Sequence, residues 1–208
     1  MSFFPPELVV VAAVILLALG LFRRRAANAR ALFSRVAAGL GGRLDPEVPT
    51  WWSQFAVPTL LVPLRIGPGY ARIQYLKGSG KNAPMYTVFT AYSERPASWS
   101  LHVRDQNCLD AIGSLLGLQD IRVGIAEFDE LFVIKASDER RAASALAHPE
   151  VQDWLRALRR INGREQLELT LEHGAFRVRS RDEIDDEQRL AEFATLANRL
   201  HARISGTA

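Results

Sequence analysis

Hydrophobic residues form one unbroken run near the N-terminus and short patterned segments after it. Residues 8–22 contain no charged or strongly polar side chain, so a helix there is apolar on every side. As a helix the run covers only about 22 Å, but the preceding Phe and Pro residues and snorkelling arginine stems extend it towards the roughly 30 Å of a hydrocarbon core. We therefore predict a retained transmembrane helix, with residues 1–25 as the anchor.

The charges that flank this run predict its orientation. A secretory signal carries positive charge before its apolar segment, whereas Glu7 is the only charge here and Arg23, Arg24 and Arg25 follow the run. Because basic residues mark the cytoplasmic side, the N-terminus is expected outside and the rest of the chain in the cytoplasm. The single Cys108 fits a reducing compartment. An arginine-rich, alanine-rich composition favours a bacterial source, and so a single-pass protein of the inner membrane.

Positive charge is concentrated near the apolar run. Residues 1–45 contain six arginines and two acidic residues, a net charge of +4, whereas the whole chain carries +3 and residues 46–208 therefore −1. Basic residues beside a membrane attract anionic head groups. We expect membrane lipid to contact five of them: Arg23, Arg24, Arg25, Arg30 and Arg35. The near-neutral remainder argues against a nucleic-acid partner.

A second helix is predicted directly after the arginines. Leu32, Phe33, Val36 and Leu40 recur on one helical face, and glycines at 39, 41 and 42 favour its end. It either continues the spanning helix or lies at the membrane interface. These patterns divide the chain into an anchor (1–25), a juxtamembrane basic amphipathic helix (26–45) and a cytoplasmic α+β domain (46–208).

The first half of that domain has the pattern of an antiparallel sheet. Short β-rich runs alternate with turns at GPG (67–69) and GSGKNAP (78–84). Strands are predicted near Leu60–Leu64, Tyr70–Tyr75, Tyr86–Ala91, Trp99–Val103 and Leu131–Ala136.

The second half predicts helices around a hairpin. Asp138 can cap one helix, and Pro149 stands at the tolerated first position of the next. LELTL and FRV flank the connection EHGA, which indicates a β-hairpin. A last helix over about Ile184–Ser205 carries an apolar stripe. That stripe favours packing on the domain's own sheet, with a coiled-coil seam and a homo-oligomer as the alternative.

Motifs for chemistry are scarce. GSGK lacks the spacing of a phosphate-binding loop, and the four histidines and single cysteine form no metal-ligand pattern, so no cofactor and no metal are predicted. The acidic residues Asp120, Asp129 and Glu130 form either an acid/base or cation site or ordinary caps. Trp51 and Trp52 fit the membrane interface and the domain core equally. The catalytic residues, if any, remain unknown.

The stretch GLQDIRVGIAEFDELFVIKASDE, which continues as RRAASALAHPEVQDWLRALRRINGREQLELTLEHGAFRVR, carries a family resemblance. A strand with FD…F, an alanine-rich helix, PE opening another helix, a hairpin and a long last helix resemble the C-terminal part of bacterial membrane proteins with an uncharacterised DUF3137-type domain. The resemblance covers about residues 120–205. It implies no catalytic residue, since none is assigned in those proteins.

These observations predict a membrane-anchored protein whose domain binds or organises a protein partner at the inner face of the membrane. A membrane-tethered enzyme, with carboxylates near Asp120 and Asp129 in a pocket, is the alternative. Whether the protein is an enzyme stays uncertain, and the absence of catalytic motifs favours a binding role.

Overall fold

A long helix, α1, comes first in the described chain, and nine described strands and four further helices follow it. The computed structural model describes residues 6–45, 56–93, 98–106, 119–161 and 166–206, with the backbone alone at 6–8, 119 and 120. Its helices are α1 Pro6–Leu40, α2 Ala126–Asp129, α3 Glu139–Leu146, α4 Pro149–Arg160 and α5 Glu187–Ser205. Its strands are β1 Arg43–Leu44, β2 Leu60–Pro63, β3 Tyr70–Lys77, β4 Met85–Tyr92, β5 Leu101–Asp105, β6 Gln119–Ile121, β7 Phe132–Ala136, β8 Leu167–Glu172 and β9 Ala175–Arg181.

The described strands form one antiparallel sheet in the order β1-β2-β3-β4-β9-β8-β5-β7-β6. The first four strands pair in sequence order. The hairpin β8–β9, which comes last in the chain, then lies between β4 and β5. Because this hairpin joins the two halves of the sheet, the sheet is complete only when the C-terminal third of the chain has folded.

The hydrophobic core lies between one face of the sheet and the helices. Phe89 on β4 and Phe176 on β9 meet edge to face at 6.3 Å, and Phe176 also meets His201 of α5 at 5.4 Å. Alternate residues of these strands point to the other face. There the register places Arg177 beside Thr90 and Arg179 beside Val88. One face of the sheet is therefore apolar and packed, and the other carries long polar side chains.

The second half of α1 packs into this core. Leu32, Phe33 and Val36 are buried, and Leu40 packs against the core partly buried, so the amphipathic pattern of this segment is confirmed. The Phe33 ring meets the Tyr75 ring of β3 at 5.0 Å. The segment continues the first half of α1 without a break, and it contacts the sheet and α5.

The predicted transmembrane anchor is wrong. In the part of the chain that the structure describes, no helix has both the length and the apolar character needed to cross a membrane. The uncharged run from Leu8 to Phe22 reaches only about 22 Å along the helix, and three arginines then follow. The predicted fold class with a transmembrane helix and the single-pass, inner-membrane location both depended on this span, and they are wrong for the same reason.

The remaining elements mostly agree with their predicted positions. The predicted strands in both halves and the β8–β9 hairpin are present, and Asp138 caps α3 by accepting a hydrogen bond from the Arg141 amide at 3.0 Å. Helix α5 begins at Glu187, later than predicted, because Asp186 caps it at the Arg189 amide. The short elements β1, β6 and α2 were not predicted. Trp51, Trp52 and Cys108 lie outside the described residues.

Candidate functional site

The first half of α1 is apolar and exposed. We name residues 9–22 the arm. Its large side chains are 41–68% exposed, with Leu16 and Leu17 the most exposed at 68% each. Isolated exposed apolar residues are normal on proteins, but a contiguous apolar surface marks a contact with another molecule. The arm is therefore the first candidate for a binding element.

Arginines surround the base of the arm, and they differ in their contacts: some form ion pairs and others line depressions of the surface. Arg25 forms an ion pair with Glu183, and Arg35 forms one with Glu187 at the start of α5. These two pairs tie α1 to the segment between β9 and α5 and to the first residue of α5. Arg24 lines a cleft at the same place. Arg23 and Arg30 line a second depression on the outer side of α1.

The cleft lies where the arm meets the domain and has a volume of about 490 Å³. Helix α1 forms one wall, Tyr75 of β3 the floor, and the segment between β9 and α5 the other wall. Its lining residues are Leu21, Arg24, Arg25, Asn28, Ala29, Ala31, Leu32, Arg35, Tyr75, Glu183 and Asp185. The cleft thus joins an apolar end at Leu21 to a charged interior.

Hydrogen bonds hold the acidic wall of the cleft in place. The Asp182 amide donates to the Met85 carbonyl at 2.7 Å, and the Ile184 amide donates to Thr87 Oγ1 at 2.9 Å. The Tyr75 hydroxyl donates to the carbonyl of Ile184, whose own side chain is buried. Glu183 and Asp185 are the neighbours of Ile184 in the chain, so their backbone positions are determined by these bonds.

Tyr75 stays neutral in this environment. Burial and the nearby Asp185 carboxylate raise the pKa of the Tyr75 hydroxyl, and the Arg25 guanidinium lowers it by a smaller amount. The hydroxyl therefore remains a hydrogen-bond donor to Ile184 throughout the physiological pH range. The Tyr75 hydroxyl links the sheet to the acidic wall, and its proton is not available for transfer.

Two charges in the cleft are not neutralised. Arg25 and Arg35 have carboxylate partners, as described. Within the described parts of the chain, Arg24 and Asp185 form neither an ion pair nor a side-chain hydrogen bond. The cleft therefore presents one free guanidinium and one free carboxylate to a ligand.

Of the carboxylates singled out in the sequence, Asp129 closes a turn. Asp129 accepts hydrogen bonds from the amides of Val123 at 2.9 Å and Gly124 at 3.0 Å, which closes the turn before α2. Glu130 is exposed, and the structure describes only the backbone of Asp120. Among the described side chains no three metal-binding groups come together. Nothing described at Asp129 has the geometry of an acid/base pair.

The histidines are equally ordinary. His102 on β5 contacts the Glu172 carboxylate on β8, across the polar face of the sheet. His148 lies at the start of α4 against Arg203, and His173 lies in the β8–β9 turn. His201 is buried beside Phe176. The described histidines lie in different parts of the fold and do not share a pocket.

Sequence reasoning found the arginines of the site but not its other members. Tyr75 and Asp185 are far apart in the chain, and each reads as an ordinary strand or cap residue. They meet because β3 pairs with β4, and β4 with β9, which brings the segment after β9 under α1. No local pattern in the sequence signals that meeting.

Comparisons with known proteins establish the fold alone. No family model matches the chain, and no curated protein matches it. The fold is similar to the crystal structure of the mycobacterial trehalose monomycolate transport factor A, TtfA, with a TM-score of 0.51 at 8% identity. The likeness covers 85% of this chain and 95% of that chain. The resemblance to DUF3137-type proteins stays a prediction.

Proposed function

We propose that this protein is a lipid-binding protein without enzymatic activity, which places its α+β domain beside an amphiphile and there organises a protein partner. The arm carries the proposal. Exposing a helix that is apolar on every side to water costs free energy. Such a helix is therefore expected to be surrounded by apolar material. A single flat protein surface covers one side of such a helix, whereas lipid chains cover all of it.

The arginines support lipid as the surrounding material. Arg23 and Arg24 directly follow the arm and are exposed, so their apolar stems can extend its surface while their guanidinium groups meet head groups when the arm enters the apolar layer. Full burial of one exposed leucine contributes about 1.5–3 kcal/mol. Several such residues on the arm are sufficient for stable attachment. This role needs no spanning helix, because the end of a helix can enter a lipid layer partway.

The alternative of a carboxylate enzyme has less support. Asp129 accepts hydrogen bonds from two backbone amides, and in the cleft Glu183 is engaged by Arg25, a guanidinium that cannot be deprotonated to act as a base. The structural neighbour's name refers to transport of trehalose monomycolate. At 8% identity that likeness supports the fold and not a ligand, so the proposal rests on the arm.

Vesicle flotation of the full chain tests the proposal. The double variant Leu16→Asp/Leu17→Asp places two charges on the arm, and we expect at least about ten-fold weaker binding to vesicles, since charged residues in apolar lipid cost several kcal/mol. The matched control is Ile66→Asp/Tyr92→Asp, which changes two exposed apolar residues away from the arm.

The control variant should bind as the wild type does. Equal binding of the wild type and the arm variant would show that the arm is not the lipid contact. If the wild-type protein does not float with vesicles of any lipid composition, the lipid-binding function is wrong.

A further inference from the structure

The geometry of the cleft points to a specific ligand class: the zwitterionic head group of an amphiphile that carries both a phosphate and a primary ammonium. This inference rests on the proposed lipid-binding function and adds the chemistry of the head group. It follows from which charges in the cleft are paired, which are free, and how the cleft meets the arm.

The free charges define the head group. Arg24 offers a planar set of N–H donors that suits a phosphate, and Asp185 offers a carboxylate that suits an ammonium. The neighbouring arginines, Arg25 and Arg35, are engaged by Glu183 and Glu187. A purely anionic head group would gain the Arg24 contact but would face the Asp185 carboxylate. A head group with both charges satisfies both side chains.

The position of the cleft supports a ligand with an apolar tail. Leu21, the second-last residue of the arm, belongs to the cleft lining, so the charged interior opens onto the exposed apolar surface of α1. A head group in the cleft leaves its acyl chains next to the arm. The volume of about 490 Å³ lies within the range of small-molecule sites, which is roughly 300–1,000 Å³.

The backbone of the acidic wall is held in place before a ligand binds. The hydrogen bonds from Tyr75 and to Thr87 hold Ile184, and they therefore hold the backbone directly before Asp185. A carboxylate on a held backbone loses less freedom on binding than one on a free loop. A held carboxylate therefore favours a head group with an ammonium more strongly than a mobile one would.

Binding to three vesicle types separates the possible head-group chemistries. Phosphatidylethanolamine carries a phosphate and a primary ammonium, phosphatidylcholine carries a quaternary ammonium without N–H donors, and phosphatidylglycerol carries no ammonium. The full-length wild type is measured on phosphatidylcholine vesicles containing equal amounts of one of the other two lipids, in the same salt. We expect the ethanolamine lipid to increase binding over phosphatidylcholine alone.

Two variants assign that binding to the cleft. Asp185→Asn should weaken binding to the ethanolamine lipid by about ten-fold, the typical effect of losing one charge-assisted contact, and should leave binding to phosphatidylglycerol equal or stronger. Arg24→Gln should weaken both. The matched controls are Glu130→Gln and Arg140→Gln, which change exposed charges remote from the cleft. Because Asp185 and Arg24 are exposed, thermal unfolding should be unchanged in both variants.

A titration with soluble phosphoethanolamine, followed by the NMR signals of cleft residues, distinguishes a lipid head group from a free metabolite. Inorganic phosphate is the control. Binding of phosphoethanolamine as tight as that of the vesicles identifies the free compound as the ligand, and much weaker binding identifies the lipid.

The outcomes separate the two proposals. If the wild type binds vesicles but Asp185→Asn leaves the preference between the ethanolamine and glycerol lipids unchanged, the head-group inference is wrong and the lipid-binding function stands. If the wild type binds no vesicles but binds phosphoethanolamine through Asp185, the function of the arm is wrong and the cleft chemistry stands. Absence of both kinds of binding overturns both.

Discussion

Individual residues in this fold link segments that are distant in the chain. Tyr75 joins β3 to Ile184, and Asn198 on α5 joins the β2 region through its amide, which donates to the Pro63 carbonyl at 2.8 Å and accepts from the Arg65 amide at 3.1 Å. His201 differs from both. Its ring nitrogens are buried and have no hydrogen-bond partner among the described groups, and its ring packs on Phe176.

His201 makes stability depend on pH. Burial lowers the pKa of its imidazole below the ordinary 6.5, so the folded protein holds it neutral while the unfolded chain protonates it in mild acid. Its contribution to stability is therefore complete above about pH 6.5, and as pH falls below that value it is lost at up to about 1.4 kcal/mol per pH unit. Urea unfolding between pH 8 and pH 5.5 should show a smaller loss in His201→Leu than in the wild type.

The measurement at pH 8, where the histidine is neutral in both states, isolates the packing effect of the substitution. The pH-dependent part is the change in the difference between the two proteins below pH 6.5. If the two curves of unfolding free energy stay parallel, the buried histidine does not contribute to the acid sensitivity.

At the scale of elements, α1 and the β8–β9 hairpin have the largest roles. Helix α1 is one 35-residue helix with two surroundings: its first half is exposed, and its second half packs in the core. The hairpin connects the two halves of the sheet by pairing with β4 on one side and β5 on the other. A weakened hairpin turn therefore affects the pairing of both halves.

The turn of this hairpin requires an unusual backbone. His173 and Gly174 both have positive φ, at 49° and 79°, and the residues on either side of them are paired, as in a two-residue type I′ turn. A β-branched residue in this conformation costs about 1–3 kcal/mol. We expect Gly174→Val to lower the unfolding free energy by that amount.

Asparagine tolerates the left-handed conformation better than valine does, so Gly174→Asn is the matched comparison. It should lose clearly less stability in the same urea titration. Equal losses in the two variants would show that the space around residue 174, and not its backbone conformation, limits the substitution.

At the scale of the molecule, the folded domain includes the second half of α1 as well as the sheet. The buried residues Leu32, Phe33, Val36 and Ala37 of α1 belong to the same hydrophobic cluster as the sheet and α5. After α1, β1 adds an edge strand beside β2. The arm, in contrast, has no described contribution to the buried cluster.

Two truncations test where the folded unit begins and thus test the sequence-based division at residue 45. A chain without residues 1–22 should melt cooperatively within a few degrees of the full chain, because it loses only the arm. A chain without residues 1–44 loses Phe33 and its buried neighbours. Truncation of a single buried phenylalanine to alanine costs about 3–5 kcal/mol.

The larger truncation should therefore lower the melting temperature by at least about 10 °C or abolish the transition, since 1 kcal/mol corresponds to roughly 2–4 °C at this size. Calorimetry on both chains checks the expectation. The same cooperative transition in the two truncated chains would mean that residues 23–44 are not part of the folded unit.

The sequence by itself determined the local elements. The strand positions, the GSGK turn, the Asp138 cap, Pro149 at the start of α4 and the apolar face of the second half of α1 were all readable, because each depends on residues a few positions apart. The run before Arg23 was also correctly read as apolar all round. Its interpretation as a span was wrong, because the described apolar run is too short once the arginines that end it are counted.

Only the tertiary structure decided the order of the strands and the cleft. The insertion of β8–β9 between β4 and β5 depends on pairing between strands separated by many residues. The hydrophobic periodicity within one strand does not predict which strand it pairs with. The same pairing brings Tyr75, Thr87 and Asp185 to one place beneath α1. Hydrophobic alternation specifies which face of a strand is buried, but the neighbours on that face are set by contacts whose loop-closure cost and packing involve the whole chain.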